Sequence, residues 1–154
     1  MKKEEFAQIV KDTAPVMYRV SKSILKRDED CEDAAQEAIA KGFYKLETLK
    51  NDTFARTWLI RILINECHTI LRKRKREAYC EETAKWEKED YSQLYNALSE
   101  LPANYRVTIV LHYIEGYSVS ETARILNVLE GTVKSRLSRG RKKLRMFLEE
   151  DENE

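Results

Sequence analysis

Residues 118–137 of the chain read SVSETARILNVLEGTVKSRL, which predicts two consecutive helices separated by a tight turn. The first four residues, Ser118 to Glu121, have the S-x-x-E form of a capping box and mark the start of a short helix. Asn127 follows at the point where a tight turn needs a residue that tolerates a positive φ. A second helix is predicted to begin near Glu130.

The second predicted helix has one apolar side and one polar side. At about 100° per residue, its apolar positions fall together: Val133, Leu137, Gly140, Leu144, Phe147 and Leu148. Hydroxyl-bearing and basic residues occupy the opposite side and its flanks: Lys134, Ser135, Arg136, Ser138, Arg139 and Lys142. This order is that of a helix-turn-helix, whose second helix can enter the major groove of DNA. An ordinary αα-hairpin with a solvated basic face is the alternative.

Helical periodicity also dominates the rest of the chain. Helices are predicted from the N-terminus through Leu25, over residues 28–49 and over residues 54–76. Pro15 is expected to start or kink the first of them, and Asp52 or Thr53 is expected to cap the third. Residues 107–114 are rich in β-branched side chains, but no alternating partner strand exists, so we predict a helix there. The expected fold class is all-α.

Charge divides the chain into blocks, although 28 Lys and Arg against 27 Asp and Glu leave a net charge of +1. Residues 72–76 are all basic, residues 77–90 carry six acids, and residues 131–147 carry seven bases and no acid. Basic blocks of this kind suit a polyanion, although a solvated helix face is the simpler interpretation. We therefore predict two small helical domains, residues 1–76 and a helix-turn-helix domain at 93–148, with a flexible acidic linker at 77–92 and an acidic tail at 149–154.

Several functional classes are not expected from this sequence. The apolar stretches are too short to span a membrane, and the N-terminus does not resemble a secretory signal. Three cysteines without a C-x-x-C pair favour a reducing cytoplasm over a disulfide scaffold or a metal site. The only two histidines, His68 and His112, lie in no nucleophile, phosphate-loop or metal motif, so we expect neither an enzyme nor a cofactor.

Two groups of residues, in order along the chain, resemble the extracytoplasmic-function sigma factors of the sigma-70 family. The C-terminal group resembles the promoter-reading domain of that family: Leu101-Pro102, Arg106, Leu111, Tyr113, Glu115-Gly116, Ser118, Glu121, Ala123, GTVKSRL at 131–137, Arg139, Arg141 and Leu144. The N-terminal group resembles its polymerase-binding helix and its second signature helix: DAAQE at 33–37, then Phe54, Trp58, Leu59, Ile62 and Asn65 before the basic run.

The resemblance implies three partners: core RNA polymerase, promoter DNA and an anti-sigma factor. The contacts with polymerase would involve its largest and second-largest subunits. The residues facing the largest subunit would be Asp33, Gln36 and Glu37. The −10 element would be bound by the loop at 50–53 and its surroundings: Asn51, Phe54, Trp58, Asn65, Arg72 and Lys73. The −35 element would be contacted by Thr132, Lys134, Ser135, Arg136, Arg139 and Lys142. Phe54 and Trp58 also share an apolar stripe, which favours core positions for both.

The sequence departs from the family pattern in three places. Thr69 stands where the family usually has Asp, and Asn127 replaces the usual turn Gly. Leu129-Glu130 replaces a Pro-containing or small-residue approach to Gly131, and Glu130 places an acid at the start of the recognition helix. A stand-alone helix-turn-helix repressor or activator is the alternative function. That alternative requires a dimer interface, of which the sequence shows no sign, and gives residues 28–76 no role.

Overall fold

A computed structural model describes residues 1–76 and 92–152, the side chains of residues 92, 95 and 150–152 excepted. Over these residues the secondary structure consists of seven α-helices, a few shorter helical turns and no strand, which confirms the all-α prediction. The chain divides into two compact units, Met1–Cys80 and Glu81–Glu154. The acidic linker predicted at 77–92 lies outside the described residues, except for Ser92, where a helix begins.

The first unit is a three-helix bundle of α1 (Lys3–Leu25), α2 (Asp28–Tyr44) and α3 (Ala55–Arg76). Each helix packs against the other two. Two 3-10 turns, Leu46–Thr48 and Asp52–Phe54, connect α2 to α3. An aromatic cluster closes one part of the core, because the Phe6 ring meets Phe43 edge-on at 4.9 Å and Trp58 at 5.9 Å between centroids.

The single helix predicted over residues 28–49 is wrong in its length. The α-helix ends at Tyr44, and Leu46 reaches the core from a separate 3-10 turn. The fully buried row of α2 consists of small residues, Cys31, Ala34, Ala38 and Gly42, which bring its backbone close to its neighbours. An ideal Cβ on Gly42 would lie 2.7 Å from Cζ of Phe6, so the close approach depends on glycine.

Two further expectations about helix starts are corrected. Asp52 and Thr53 lie within the 3-10 turn before α3, and Asn51 caps that turn, since its side chain accepts the Thr53 backbone N–H. Of the two alternatives for Pro15, the helix start is wrong, because Pro15 lies inside α1, which continues from Lys3 to Leu25.

A polar cluster joins α1 to α2. The buried Lys22 donates from Nζ to Oδ1 of Asp28 at 2.7 Å, and the Tyr18 hydroxyl donates to the same oxygen at 3.0 Å. The hydrogen bond from Lys22 lowers the pKa of Asp28. Burial, followed by the hydrogen bond to Asp28, raises the pKa of Tyr18 to about 12. The turn between the two helices places Lys26 at φ 65°, a left-handed conformation that lysine rarely adopts.

The second unit contains α4 (Ser92–Ser99), α5 (Ala103–Ile109), α6 (Val119–Leu126) and α7 (Glu130–Glu152). Helix α5 continues directly into a π-helical turn, Val110–Ile114, so the helix predicted over residues 107–114 is confirmed. The core of this unit is apolar: Leu98, Leu101, Ile109, Ala123, Val133 and Leu137. The tail predicted at 149–154 is not separate at its start, because α7 runs on to Glu152. In the described ranges, we find no helix of the length and hydrophobicity that crossing a membrane requires.

Candidate nucleic-acid interface

The turn between α6 and α7 has the geometry that the sequence predicted. The Ser118 hydroxyl accepts the Glu121 N–H at 3.0 Å, and the Glu121 carboxylate accepts the Ser118 N–H at 3.1 Å. This reciprocal capping box fixes the start of α6. Asn127 adopts φ 56° and ψ 49°, and the Val128 N–H returns to the Ala123 carbonyl at 3.0 Å. The left-handed turn that the sequence predicted at Asn127 is therefore confirmed.

Helix α7 buries one side and presents the other to solvent. Val133, Leu137 and Gly140 are buried, as their spacing predicted. The residues predicted to meet the −35 element lie away from that stripe: Lys134, Arg139 and Lys142 are exposed, while Thr132, Ser135 and Arg136 are half-buried.

An open groove of about 550 Å³ runs between α7 and the start of α5. Four of the six predicted −35 residues line it, and Lys134 and Lys142 do not. The full lining is Asn104, Tyr105, Leu129, Gly131, Thr132, Ser135, Arg136 and Arg139. Sequence reasoning missed Asn104, Tyr105 and Leu129. Asn104 and Tyr105 come from another helix, and spacing along α7 carries no information about them.

Two of the basic residues on α7 lie over aromatic rings. The Arg141 guanidinium carbon is 5.9 Å from the ring centroid of Tyr113, and the Lys143 Nζ is 5.1 Å from that of Tyr105. A cation over an aromatic face is attracted by the ring quadrupole. These two side chains therefore lie against α5 and its π-helical turn, whereas Arg136 and Arg139 line the groove.

In the first unit, Asp33, Gln36 and Glu37 are exposed on α2. Their spacing of three and four residues places them side by side on a helix surface. Lys41, one turn further along α2, forms an ion pair with Glu66 of α3, and this hydrogen bond raises the pKa of Lys41. The three predicted polymerase-facing residues thus form one accessible patch, and the ion pair joins the next turn of α2 to α3.

The residues predicted at the −10 element divide between the surface and the core. Asn51 Oδ1 accepts both the Thr53 N–H at 3.0 Å and the Thr53 hydroxyl at 2.6 Å, so this oxygen shapes the loop. Phe54 is 47% exposed, which corrects the expectation of a core position. Trp58 is half-buried, and its ring packs edge-on against the buried Phe6, so it lies at the margin of the core.

The basic end of α3 also serves two purposes. Asn65, Arg72 and Lys73 are exposed. Arg74 instead forms an ion pair with Asp30 of α2, 2.7 Å from Nη2 to Oδ1, and the Asp30 side chain is only 6% exposed. Reasoning from the sequence treated the run as one surface, because the acidic partner lies 44 residues away.

Thr69 substitutes in part for the acid that the family usually has. Its hydroxyl donates to the Asn65 carbonyl at 3.0 Å and accepts from Arg72 Nη2 at 3.4 Å. The hydroxyl therefore keeps a local contact with Arg72, although without the negative charge of an aspartate. At this position Arg72 thus donates to an uncharged hydroxyl and not to a carboxylate.

Both described cysteines, Cys31 and Cys67, are buried thiols, and burial raises the pKa of each. A metal ligand or nucleophile would need a readily formed thiolate. Among the residues that the structure describes, no group of three or more His, Cys, Asp or Glu side chains is placed to hold a metal ion.

Two family models match the chain in order, Sigma-70 region 2 at residues 9–77 and Sigma-70, region 4 at residues 91–144. The RNA polymerase sigma factor SigV of Bacillus subtilis is 33% identical over 142 residues, which are 88% of this chain and 86% of that protein. The ECF RNA polymerase sigma factor SigM of Mycobacterium tuberculosis is 31% identical over 150 residues, 93% of this chain and 76% of SigM.

Solved structures agree with the relatives found by sequence. The sigma factor RpoE of Bartonella quintana, in complex with the anti-sigma factor NepR, superposes with a TM-score of 0.80 at 28% identity and covers 96% of both chains. CnrH, in complex with the cytosolic domain of CnrY, gives a TM-score of 0.75 at 25% identity over 97% of this chain and 91% of CnrH. With both sigma-70 regions matched in order, the chain belongs to the extracytoplasmic-function sigma factors of the sigma-70 family, which are factors of transcription initiation.

Proposed function

We propose that this chain binds core RNA polymerase and directs it to promoters by reading a −35 element with α7 and a −10 element with its first unit. The observation that carries the proposal is the outer face of α7. There, Thr132, Ser135, Arg136 and Arg139 line one open groove behind a capped helix and a left-handed turn. That arrangement presents the N-terminal part of a recognition helix to base edges.

The side chains of α7 would divide the work at the −35 element. An arginine can grip guanine O6 and N7 with two hydrogen bonds, so Arg136 and Arg139 are the candidates for base reading. Lys134 and Lys142 lie outside the groove, where a lysine mostly contacts phosphate oxygens. Thr132 and Ser135 would add hydrogen bonds from their hydroxyls.

The first unit would hold the opened strand of the −10 element. Phe54 offers a half-exposed ring beside the loop that Asn51 shapes, and an aromatic ring is a suitable platform for an unstacked base. Asn65, Arg72 and Lys73 would follow the backbone of the DNA along α3. Trp58 would support Phe54 from the core, without stacking on a base itself.

Polymerase would supply the chemistry of RNA synthesis, so we propose no enzymatic activity for this chain and place it in the cytoplasm with its polymerase. Asp33, Gln36 and Glu37 would bind the largest subunit, and the helix-turn-helix unit would meet the second-largest. Because RpoE and CnrH are found bound to NepR and CnrY, we also propose an anti-sigma factor as a partner.

The test is promoter binding and run-off transcription with and without core polymerase. The isolated chain should bind promoter DNA weakly and with strong salt dependence, since each DNA-facing patch is small. Core polymerase would link the two patches and raise their effective concentration. Changing Gln36 and Glu37 together to Ala should abolish this gain, while Glu4→Ala, which also removes an exposed helical acid, should not.

Tight and specific binding by the chain alone, unchanged by core polymerase, would favour the stand-alone repressor or activator. A panel of −35 variants tests the division of work on α7. Arg136→Ala or Arg139→Ala should lose about 1–3 kcal/mol at particular bases, whereas Lys142→Ala should weaken all sequences alike. The same uniform loss in all three variants would refute the base-reading role of the arginines.

A further inference from the structure

Leu129 is the residue that immediately precedes α7, and its side chain is 79% exposed. Its carbonyl accepts the Val133 N–H at 3.2 Å, the first hydrogen bond of the helix. Leu129 therefore occupies the N-cap position, where a side-chain oxygen would normally satisfy a free backbone N–H. A leucine side chain has no atom that can do so.

This choice of residue works against the stability of the domain. Leucine is among the least favourable N-cap residues, whereas Ser, Thr, Asp and Asn are preferred. The preceding helix shows the favourable solution, because Ser118 caps α6 through its hydroxyl. Residues that break a local rule in this way are expected mainly at functional sites.

The position of Leu129 indicates what it contacts. It lines the groove together with Thr132, Ser135 and Arg136, at the end of α7 that a recognition helix directs toward base edges. Glu130 beside it is exposed and negatively charged, which disfavours the approach of a phosphate at this point. An apolar side chain beside an acid is therefore better suited to the floor of the major groove than to the phosphate backbone of DNA.

Only one base carries an apolar group on its edge in the major groove, the C5-methyl of thymine. We propose that Leu129 is a specificity-determining residue that packs against a thymine methyl in the −35 element. The proposal rests on the proposed function, since it requires α7 to lie in the major groove of a promoter. It gives an apolar role to a groove residue for which the polar contacts of α7 offer none.

The experiment uses holoenzyme assembled from core polymerase and the full chain. Promoters are selected from a DNA pool with a randomised −35 segment by the wild type, Leu129→Ser and Leu129→Met. Wild type and Leu129→Met should both select thymine at one position, and Leu129→Ser should lose that preference. Replacing that thymine by deoxyuridine, which lacks only the methyl, should weaken wild-type binding about four-fold and Leu129→Ser binding less than two-fold.

A second measurement separates recognition from a structural role. Because serine can cap α7, Leu129→Ser should raise the urea midpoint of the full chain while it relaxes base choice. The proposal is overturned if Leu129→Ser keeps the thymine preference, if deoxyuridine has no effect on wild type, or if the variant loses transcription equally on all promoters, which would place Leu129 against polymerase. Failure of wild-type holoenzyme to select any promoter would instead refute the proposed function itself, and this inference with it.

Discussion

Replacing Arg74 with Met should destabilise the first unit without removing a DNA contact. Arg74 lies within the basic run of α3, yet its Nη2 is 2.7 Å from Oδ1 of Asp30 on α2. Met has a helix propensity close to that of Arg, so the substitution mainly removes the guanidinium. The carboxylate of Asp30 would then remain in the core without this ion pair.

The burial of the two side chains sets the size of the effect. An exposed ion pair contributes about 0–1 kcal/mol, and removing one partner of a fully buried pair costs about 3–5 kcal/mol. The Asp30 side chain is 6% exposed and the Arg74 side chain 29%, so water reaches one side of this pair. We expect Arg74→Met to lower the free energy of unfolding by about 2 kcal/mol, within the range for hydrogen bonds to charged groups. The double variant with Asp30→Asn should lose less than the sum of the single losses.

The assay is urea unfolding of the full chain in a Trp86→Phe background, so that fluorescence reports Trp58 in the first unit. Arg72→Met is the matched control, since Arg72 belongs to the same run but is exposed. The control should change stability by less than about 0.5 kcal/mol and should weaken promoter binding by the holoenzyme. This expectation is refuted if the two variants lose equal stability, or if Arg74→Met loses less than about 0.5 kcal/mol. Either result would show that the ion pair does not stabilise the packing of α3 on α2.

Three further substitutions test the packing and the polar groups, each by urea unfolding. Gly42→Ala should destabilise the chain by about 1–2 kcal/mol, because the new Cβ would lie 2.7 Å from the Phe6 ring. The control Gly131→Ala should not destabilise it, because no atom lies within 4 Å of a Cβ at that position, and equal losses of stability would contradict the close approach at Gly42. Thr122→Val should stabilise by about 1 kcal/mol, because the buried Thr122 hydroxyl has no hydrogen-bond partner; a loss of stability would indicate a hidden partner. Folding lowers the pKa of Asp28 from its ordinary value of 3.8. The stabilisation by Asp28 is therefore complete above that value and is lost as the pH falls through the lower pKa of the folded state. The stability advantage of the wild type over Asp28→Asn should persist at pH 6 and vanish in acid.

Helices were predictable from the sequence where the pattern and the local signals agreed. The capping box at Ser118, the turn residue Asn127 and the apolar stripe from Val133 all act within a few residues, so their consequences can be derived from spacing alone. The helix predicted over residues 28–49 failed because Leu46, one of its apolar residues, reaches the core from outside the helix. Periodicity cannot distinguish a continued helix from a helix followed by a 3-10 turn that buries the same side chain.

The amino-acid sequence by itself determined the all-α class, the helix-turn-helix and the family, because these depend on local spacing and on motifs in order. Tertiary structure alone decided which of the aromatic and basic residues with suitable chemistry are available for binding. It packed Trp58 against the buried Phe6 and left Phe54 exposed, although both fit the same stripe. It also assigned Arg74 to Asp30 while Arg72 stayed exposed, since the partner of a charge is set by which helices pack together and not by distance along the chain.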